Sequence, residues 1–264
     1  MTPDLAADAE LAAKLARAAG RILLEVRGCD LLGGKPLGGA GDKVANTWLV
    51  ETLRSLRPDD GLLSEETKDT PDRLTKDRVW IVDPVDGTRE FGESRWDWAV
   101  HVGLAVNGVA AAGAVALPDC TGPECENGRG LVFSSHAPVP LPAAQAVPRM
   151  VVSRTRPAPE ALAVAEAIGA ELVPMGSAGA KAMAVVRGQA EIYLHSGGQY
   201  EWDNCAPVAV AQAHGLHCSR IDGRPLHYNN QDTWLPDLLI CRPEWADRVL
   251  EIVAGLALTP STAR

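Results

Sequence analysis

The chain has 264 residues, 46% of them hydrophobic and 22% charged, which excludes disorder of the whole chain and gives enough length to bury a core without disulfides. A formal net charge of -9 excludes a basic surface for coating a nucleic acid polymer or an anionic membrane, but not a small anionic ligand. Aromatics are 5% of the chain, so the core must be built mainly from Ala, Val, Leu and Ile. The six cysteines, Cys29, Cys120, Cys125, Cys205, Cys218 and Cys241, have no paired zinc spacing. Met1 to Glu10 lacks the basic start of a signal peptide, and the longest clean apolar run, Gly108 to Leu117, is too short to span a membrane. The expectation is a soluble cytoplasmic protein with reduced thiols.

Leu5, Ala9, Ala12, Leu15, Ala19, Ile22 and Val26 recur in steps of three and four, predicting a helix that Gly28 ends. Gly33 to Gly41 lacks the pattern of a phosphate loop and is expected to form a mobile flap. Asp42 is expected to cap a second helix reaching about Leu56. Gly61 to Ser64 is an apolar step ending in Glu65 and Glu66. Val79 to Val82 predicts a strand that stops at Asp83-Pro84. Trp98 to Val106 and Val109 to Leu117 flank Asn107-Gly108, a hairpin signal, so an antiparallel sheet is expected in the first half. His136 to Pro148 reads as a Pro-rich linker.

Beyond it, strands at Met150 to Ser153, Glu171 to Pro174, Ala190 to Leu194 and Leu238 to Cys241 alternate with helices. Those helices are Pro159 to Ile168, Ala178 to Arg187, about Asp203 to His214, and Pro243 to Leu256. The alternation predicts an α/β layered half, and the chain divides into residues 1–140 and 141–264.

The segment Trp80 to Thr88, WIVDPVDGT, carries the chemistry. A strand delivers Asp83, and Gly87 permits a tight turn that lets Asp86 converge on the same point. Two close carboxylates repel unless protons or cations compensate, and oxygen ligands of this kind suit Mg²⁺. The same D-x-x-D-G pattern also fits an acidic surface turn. Glu65-Glu66 and Trp202-Asp203 add further acids at the ends of apolar elements.

Together, Leu63-Ser64-Glu65-Glu66, Asp83-Pro84-Val85-Asp86-Gly87-Thr88 and Trp202-Asp203 resemble, in order, the motifs of the inositol monophosphatase superfamily of Mg²⁺-dependent, lithium-sensitive phosphatases. The resemblance implies an α/β (α+β) fold, a layered α-β-α-β-α sandwich like that of inositol monophosphatase and fructose-1,6-bisphosphatase. It implies two or three Mg²⁺ ions. Glu65 and Asp83, with the Val85 carbonyl, would hold the first. Asp83, Asp86 and Asp203 would hold the second, and Glu65 would border a third. Gly87 and Thr88 would cradle the phosphate, with Thr88 orienting the attacking water. Glu66 reads as a solvated acid behind them. The family's Asp-x-x-Thr element is absent, since Pro36 to Gly39 stands at its offset, and Asp42 matches the acid that opens the helix. Glu65 with a metal-bound water is the expected substitute.

Gly87-Thr88-Arg89-Glu90-Phe91 and Val152-Ser153-Arg154 look like segments of the CysQ branch, the 3'-phosphoadenosine 5'-phosphate (PAP) phosphatases. Lys181 has that branch's spacing before Trp202. Arg154 and Lys181 are the candidate cations for a second phosphate, or else surface cations. The implied partner is a small phosphorylated nucleotide, and the implied assembly a homodimer. Inositol phosphate or fructose bisphosphate hydrolysis is the alternative, and a non-catalytic sensor a third. His214, His217 and Cys205 read as structural, His101 as a core or sheet-face residue, and Trp96 and Trp98 as packing or adenine-lining residues.

Overall fold

The computed structural model describes residues 4–119 and 130–256. The N-terminal periodicity forms α1 (Leu5–Gly28), capped by Asp4, whose carboxylate accepts the Ala7 N–H at 3.1 Å. The expected flap is instead helical. α2 (Gly34–Leu56) begins at Gly34, with Gly33 as its N-cap, and Asp42 is buried inside it rather than capping it. The glycine run serves close packing. A Cβ on Gly38 would lie 2.7 Å from Thr88 Cγ2, and one on Gly41 2.6 Å from the buried Phe91 ring.

The first sheet contains β1 (Gly61–Ser64), β2 (Arg78–Asp86), β3 (Ala99–Val106), β4 (Val109–Leu117) and β5 (Leu131–Ser134), hydrogen-bonded in that order. It is mixed rather than antiparallel throughout, because β1 pairs parallel with β2. The connection between those two strands contains a single 3-10 turn, Pro71–Thr75. The hairpin at Asn107-Gly108 forms as expected, with both residues at positive φ. β2 does not stop at Asp83-Pro84. It runs on to Asp86 through an irregularity in its pairing with β3, where Pro84 is tolerated. The short helix α3 (Thr88–Gly92) follows.

The second sheet has the order β7-β6-β8-β10-β9. Its strands are β6 (Arg149–Ser153), β7 (Glu171–Met175), β8 (Ile192–Tyr200), β9 (His217–Ser219) and β10 (Trp234–Cys241). Between them lie α4 (Pro159–Ile168), α5 (Ala178–Val186), α6 (Glu201–Ala213) and the closing α7 (Pro243–Gly255).

Strand alternation sorts the core into layers. On β2, Trp80 and Val82 face Leu15, Leu23 and Leu49 of α1 and α2. Val79 and Ile81 point the other way, into a core shared with Met183 of α5, Val208 of α6, and Tyr193 and Ile240 of the second sheet. Ile192, Leu194 and Leu239 face outward again, onto Val164 of α4 and Val249 of α7. The result is the α-β-α-β-α sandwich, a mixed α/β fold. Its middle layer, α5 and α6, touches both sheets, so the ends of both helices can meet the carboxyl end of β2.

Candidate active site

Three chain segments deliver four acids. Glu65 follows β1 directly, Asp83 and Asp86 end β2, and Asp203 lies in the first turn of α6. Carboxylate oxygens of Asp83, Asp86 and Asp203 lie within 4.8 Å of one another. Burial, then the charges of Glu65 and Asp86, holds the Asp83 carboxyl well above the usual carboxylate range. Burial followed by the Asp86 charge pushes Asp203 up to about 6. Lost hydration, then Asp203 and Asp42, pushes Glu65 up to about 7, although its outer side stays open to solvent. The charges that raise Asp83 are those of acids, and its carboxylate meets the Val85 N–H at 3.0 Å and the Glu65 carboxyl. Buried oxygen donors this crowded fit a hard divalent cation.

Asp86 behaves differently. Burial would raise it, but His101, the Ser177 hydroxyl and the Gly179 N–H outweigh burial and hold it at about 2. It accepts the Ser177 hydroxyl, the Ala178 N–H at 3.1 Å and the Gly179 N–H at 2.6 Å, all at the start of α5. His101, fully buried on β3, places Nε2 3.1 Å from Asp86 in a charge contact rather than an aligned hydrogen bond. Its Nδ1 lies 2.9 Å from the Trp202 carbonyl. The Trp202 carbonyl is an acceptor, so Nδ1 carries a proton, and the Asp86 carboxylate beside Nε2 favours the charged imidazolium. Burial opposes that charge, but Asp86 raises the His101 pKa above its ordinary value. Gly179 fits this contact because a Cβ there would overlap the His101 ring. The sequence marks His101 only as a core or sheet-face residue. Its role follows from cross-strand register, which sets it opposite Asp83.

Thr88 Oγ1 lies 3.1 Å from the Val85 carbonyl and 3.3 Å from Asp42 Oδ1. Asp42, expected as a helix cap, thus pairs with Thr88 from within α2. Burial and then Glu66 push it up to about 7. The sequence does not show this partner, because the glycine run hides that α2 begins eight residues before Asp42. Both residues line a cavity of about 560 Å³ with Gly34, Lys35, Gly39, Arg89 and Glu93. Gly87 takes φ +90°, which lets the chain turn from β2 into α3 with Ser177 close by.

The two candidate nucleotide cations border this cluster and are already paired. Arg154 is bound to Glu90 at 2.7 Å and Glu93 at 3.3 Å. Lys181 is 5% exposed, and its ammonium donates to the carbonyls of Gly176, at 2.9 Å, and of Ser177. Burial pushes it down to about 8. Glu66 is exposed. Trp98 is buried edge-on to Phe91 at 4.9 Å, whereas Trp96 is exposed. His214 lies 2.8 Å from the Val210 carbonyl, and His217 lies 2.8 Å from Ser219, both structural contacts. Cys205 is buried in α6, and Cys29, Cys205, Cys218 and Cys241 are free thiols. Cys120 and Cys125 lie outside the described residues. Among the described residues no helix is long and apolar enough to cross a membrane.

Residues 4–255 match the model of the inositol monophosphatase family. The chain is 46% identical over 263 residues to a 3'-phosphoadenosine 5'-phosphate phosphatase of Mycobacterium leprae, covering 93% of each. It is 30% identical over 210 residues to the 3'(2'),5'-bisphosphate nucleotidase CysQ of Escherichia coli K12, covering 74% of this chain and 81% of that one. Among solved structures, an inositol monophosphatase from Anabaena superposes with a TM-score of 0.76 at 19% identity, covering 96% and 98% of the two chains. CysQ from Bacteroides thetaiotaomicron superposes at 0.74 with 24% identity, covering 90% and 98%. These two share the fold.

The raised carboxylates set a pH dependence. Asp42, Glu65 and Asp203 stand at about 7, 7 and 6 in the fold, against ordinary values of 3.8, 4.5 and 3.8. A group raised in the folded state contributes stability that is fully present below its unfolded pKa and lost as pH rises through its folded pKa. In EDTA, Tm should therefore fall by several degrees between about pH 5 and about pH 8. His101, also raised, acts in the same sense, while His195 and His217, lowered by burial, oppose it on the acid side. The sharper readout is the difference made by Asp83→Asn, which should flatten the fall, as should added Mg²⁺. A Tm that rises across this window in EDTA, with no effect of Asp83→Asn, contradicts the assignment.

Proposed function

The chain belongs to the inositol monophosphatase family of phosphatases, and from that premise we propose that it hydrolyses the 3'-phosphate of PAP, giving AMP and phosphate, with Mg²⁺ as its metal. The observation that carries the reading is the convergence of Asp83, Asp86 and Asp203 beside the Thr88–Asp42 pair. The relatives' names supply the nucleotide.

Glu65, Asp83 and the Val85 carbonyl would hold one ion; Asp83, Asp86 and Asp203 would hold a second, and Glu65 would border a third. When bound, Mg²⁺ neutralises phosphate charge, lowers the pKa of water and stabilises the departing 3'-oxygen. The chain's own residues do the rest. Asp86 is fixed by α5 and His101, so its carboxylate cannot swing away from the site. The Gly87 and Thr88 N–H groups face the phosphate. Thr88 donates its hydroxyl proton to Asp42 and turns an oxygen lone pair toward the attacking water, which it orients. Asp42, standing near 7 through burial, is matched to accept a proton at neutral pH. In this reading Asp42, and not Glu65 with a metal-bound water, completes the water-activating pair.

Glu65, Asp83 and Asp86 lie in the half 1–140 and Asp203 in the half 141–264, so the site needs both halves. Arg154, beside Glu90 and Glu93, is the cation offered to the second phosphate, released from one of those acids when the nucleotide binds. Lys181 supports the Gly176–Ser177 turn from behind and reaches Asp86 through it. A homodimer is the assembly that the family resemblance implies.

Side-by-side kcat/KM values on PAP, inositol 1-phosphate and fructose 1,6-bisphosphate test the substrate. PAP should be preferred, and a preferred sugar phosphate would reassign it. In the same assay, Asp42→Asn should lower kcat by about 10² to 10⁴ with little change in KM for PAP. Wild-type kcat in that variant would remove Asp42 from proton transfer.

A further inference from the structure

Asp203 and Glu65 come from opposite halves of the chain, yet they must stand at a fixed separation to share a cation cluster. A buried polar bridge joins their segments without touching either. Its centre is Arg73, in the 3-10 turn between β1 and β2, with a side chain 1% exposed.

The Arg73 guanidinium donates from Nε and Nη2 to the two oxygens of Asp69, each at 2.8 Å. Its Nη1 donates to Asn229 Oδ1 at 2.8 Å, and Nη2 also to the Asn230 carbonyl at 2.9 Å. Asn229 answers with its amide, donating to the Arg73 carbonyl at 3.1 Å. The backbone N–H groups of Asn229 and Asn230 then donate to Glu201, both at 2.7 Å, and the Asn230 amide adds a third bond at 2.8 Å. Glu201 is the first residue of α6, two positions before Asp203. Asn229 adopts φ +62°, a conformation that Asn tolerates better than most residues.

The other end of the same loop is tied down separately. Asn46 of α2 donates to Thr67 at 3.0 Å and accepts the Ser64 hydroxyl at 2.7 Å, on either side of Glu65-Glu66. Asn46 lies one helical turn beyond Asp42. The loop carrying Glu65 is therefore bound at one end to the Asp42 helix and at the other, through Arg73, to the start of the Asp203 helix.

We propose that Arg73 is a positioning residue for the metal site: its fork, relayed by Asn229, Asn230 and Glu201, sets the distance between the Glu65 loop and Asp203. The inference rests on the phosphatase reading for its catalytic consequence, but its direct consequence is for cation affinity. Arg73 makes four such bonds, two of them a bidentate pair to Asp69, and an ammonium has three donors and no fork, so Lys cannot replace it.

The test measures Mg²⁺ binding to the full chain by titration calorimetry, well below the melting temperature, for wild type, Arg73→Lys and Arg73→Met. It is run beside Mg²⁺-dependent phosphate release from PAP. The Mg²⁺ Kd should rise about tenfold in both variants, the range seen when groups behind metal ligands are removed. The half-saturating Mg²⁺ for turnover should rise in parallel, while kcat at saturating Mg²⁺ stays within about threefold of wild type. A folded variant that binds Mg²⁺ with the wild-type Kd overturns the proposal, whatever its Tm, because a purely structural Arg73 would lower Tm alone. If neither Arg73 variant folds, Asn229→Ala, which cuts one link, is read by the same two outcomes. A wild type that binds Mg²⁺ but leaves PAP intact defeats the phosphatase reading and leaves the calorimetric comparison to decide this one. A wild type that binds no Mg²⁺ overturns both.

Discussion

Repulsion among buried carboxylates is the constraint around which the molecule is arranged. Asp83, Asp86 and Asp203 bring oxygens within 4.8 Å of one another, and the charges of Glu65 and Asp42 raise Asp83 further. Like charges at that separation, in a poorly solvated site, demand protons or cations. The chain answers unevenly. Asp86 receives the start of α5 and the buried His101, and stays ionised. Asp83 meets the Val85 N–H and Glu65, itself an acid, and the balance is left for a cation.

This uneven treatment requires close approach of backbone to side chain, which explains where the small residues fall. Gly179 makes room for His101 against Asp86, Gly38 for Thr88, and Gly41 for Phe91 beneath α3. Gly87 takes the left-handed turn that sends Thr88 back toward Asp42. The five-layer sandwich supplies the frame. Because α5 and α6 lie between the sheets, their first turns reach the carboxyl end of β2, and neither half of the chain holds all the acids.

Much of this was legible in the sequence. Asp83, Asp86, Glu65 and Asp203 stand in motifs whose spacing is local, and strand or helix ends place them. The helical and strand periods of α1, β3, β4 and α4 were equally local. What escaped depends on contacts between distant segments. Gly33 to Gly41 read as a flap because glycine is a poor helix former, but packing against α3 overrides that propensity. That error hid Asp42, whose meaning depends on lying within a helix opposite Thr88. His101 and Arg73 carry no motif; one acts across a strand pair, the other across 156 residues of chain. The continuation of β2 through Pro84 needed an irregular pairing that composition does not announce. Lys181 has suggestive spacing, but α5 turns its ammonium onto backbone carbonyls.

The central claim is that these acids hold a divalent cation for phosphate hydrolysis. Its most direct measurement is phosphate release from PAP in Mg²⁺ and in EDTA, for wild type and for Asp83→Asn. The account predicts release by wild type in Mg²⁺ alone, and its loss in the variant under both conditions. Release that survives EDTA, or a variant as active as wild type, would contradict it.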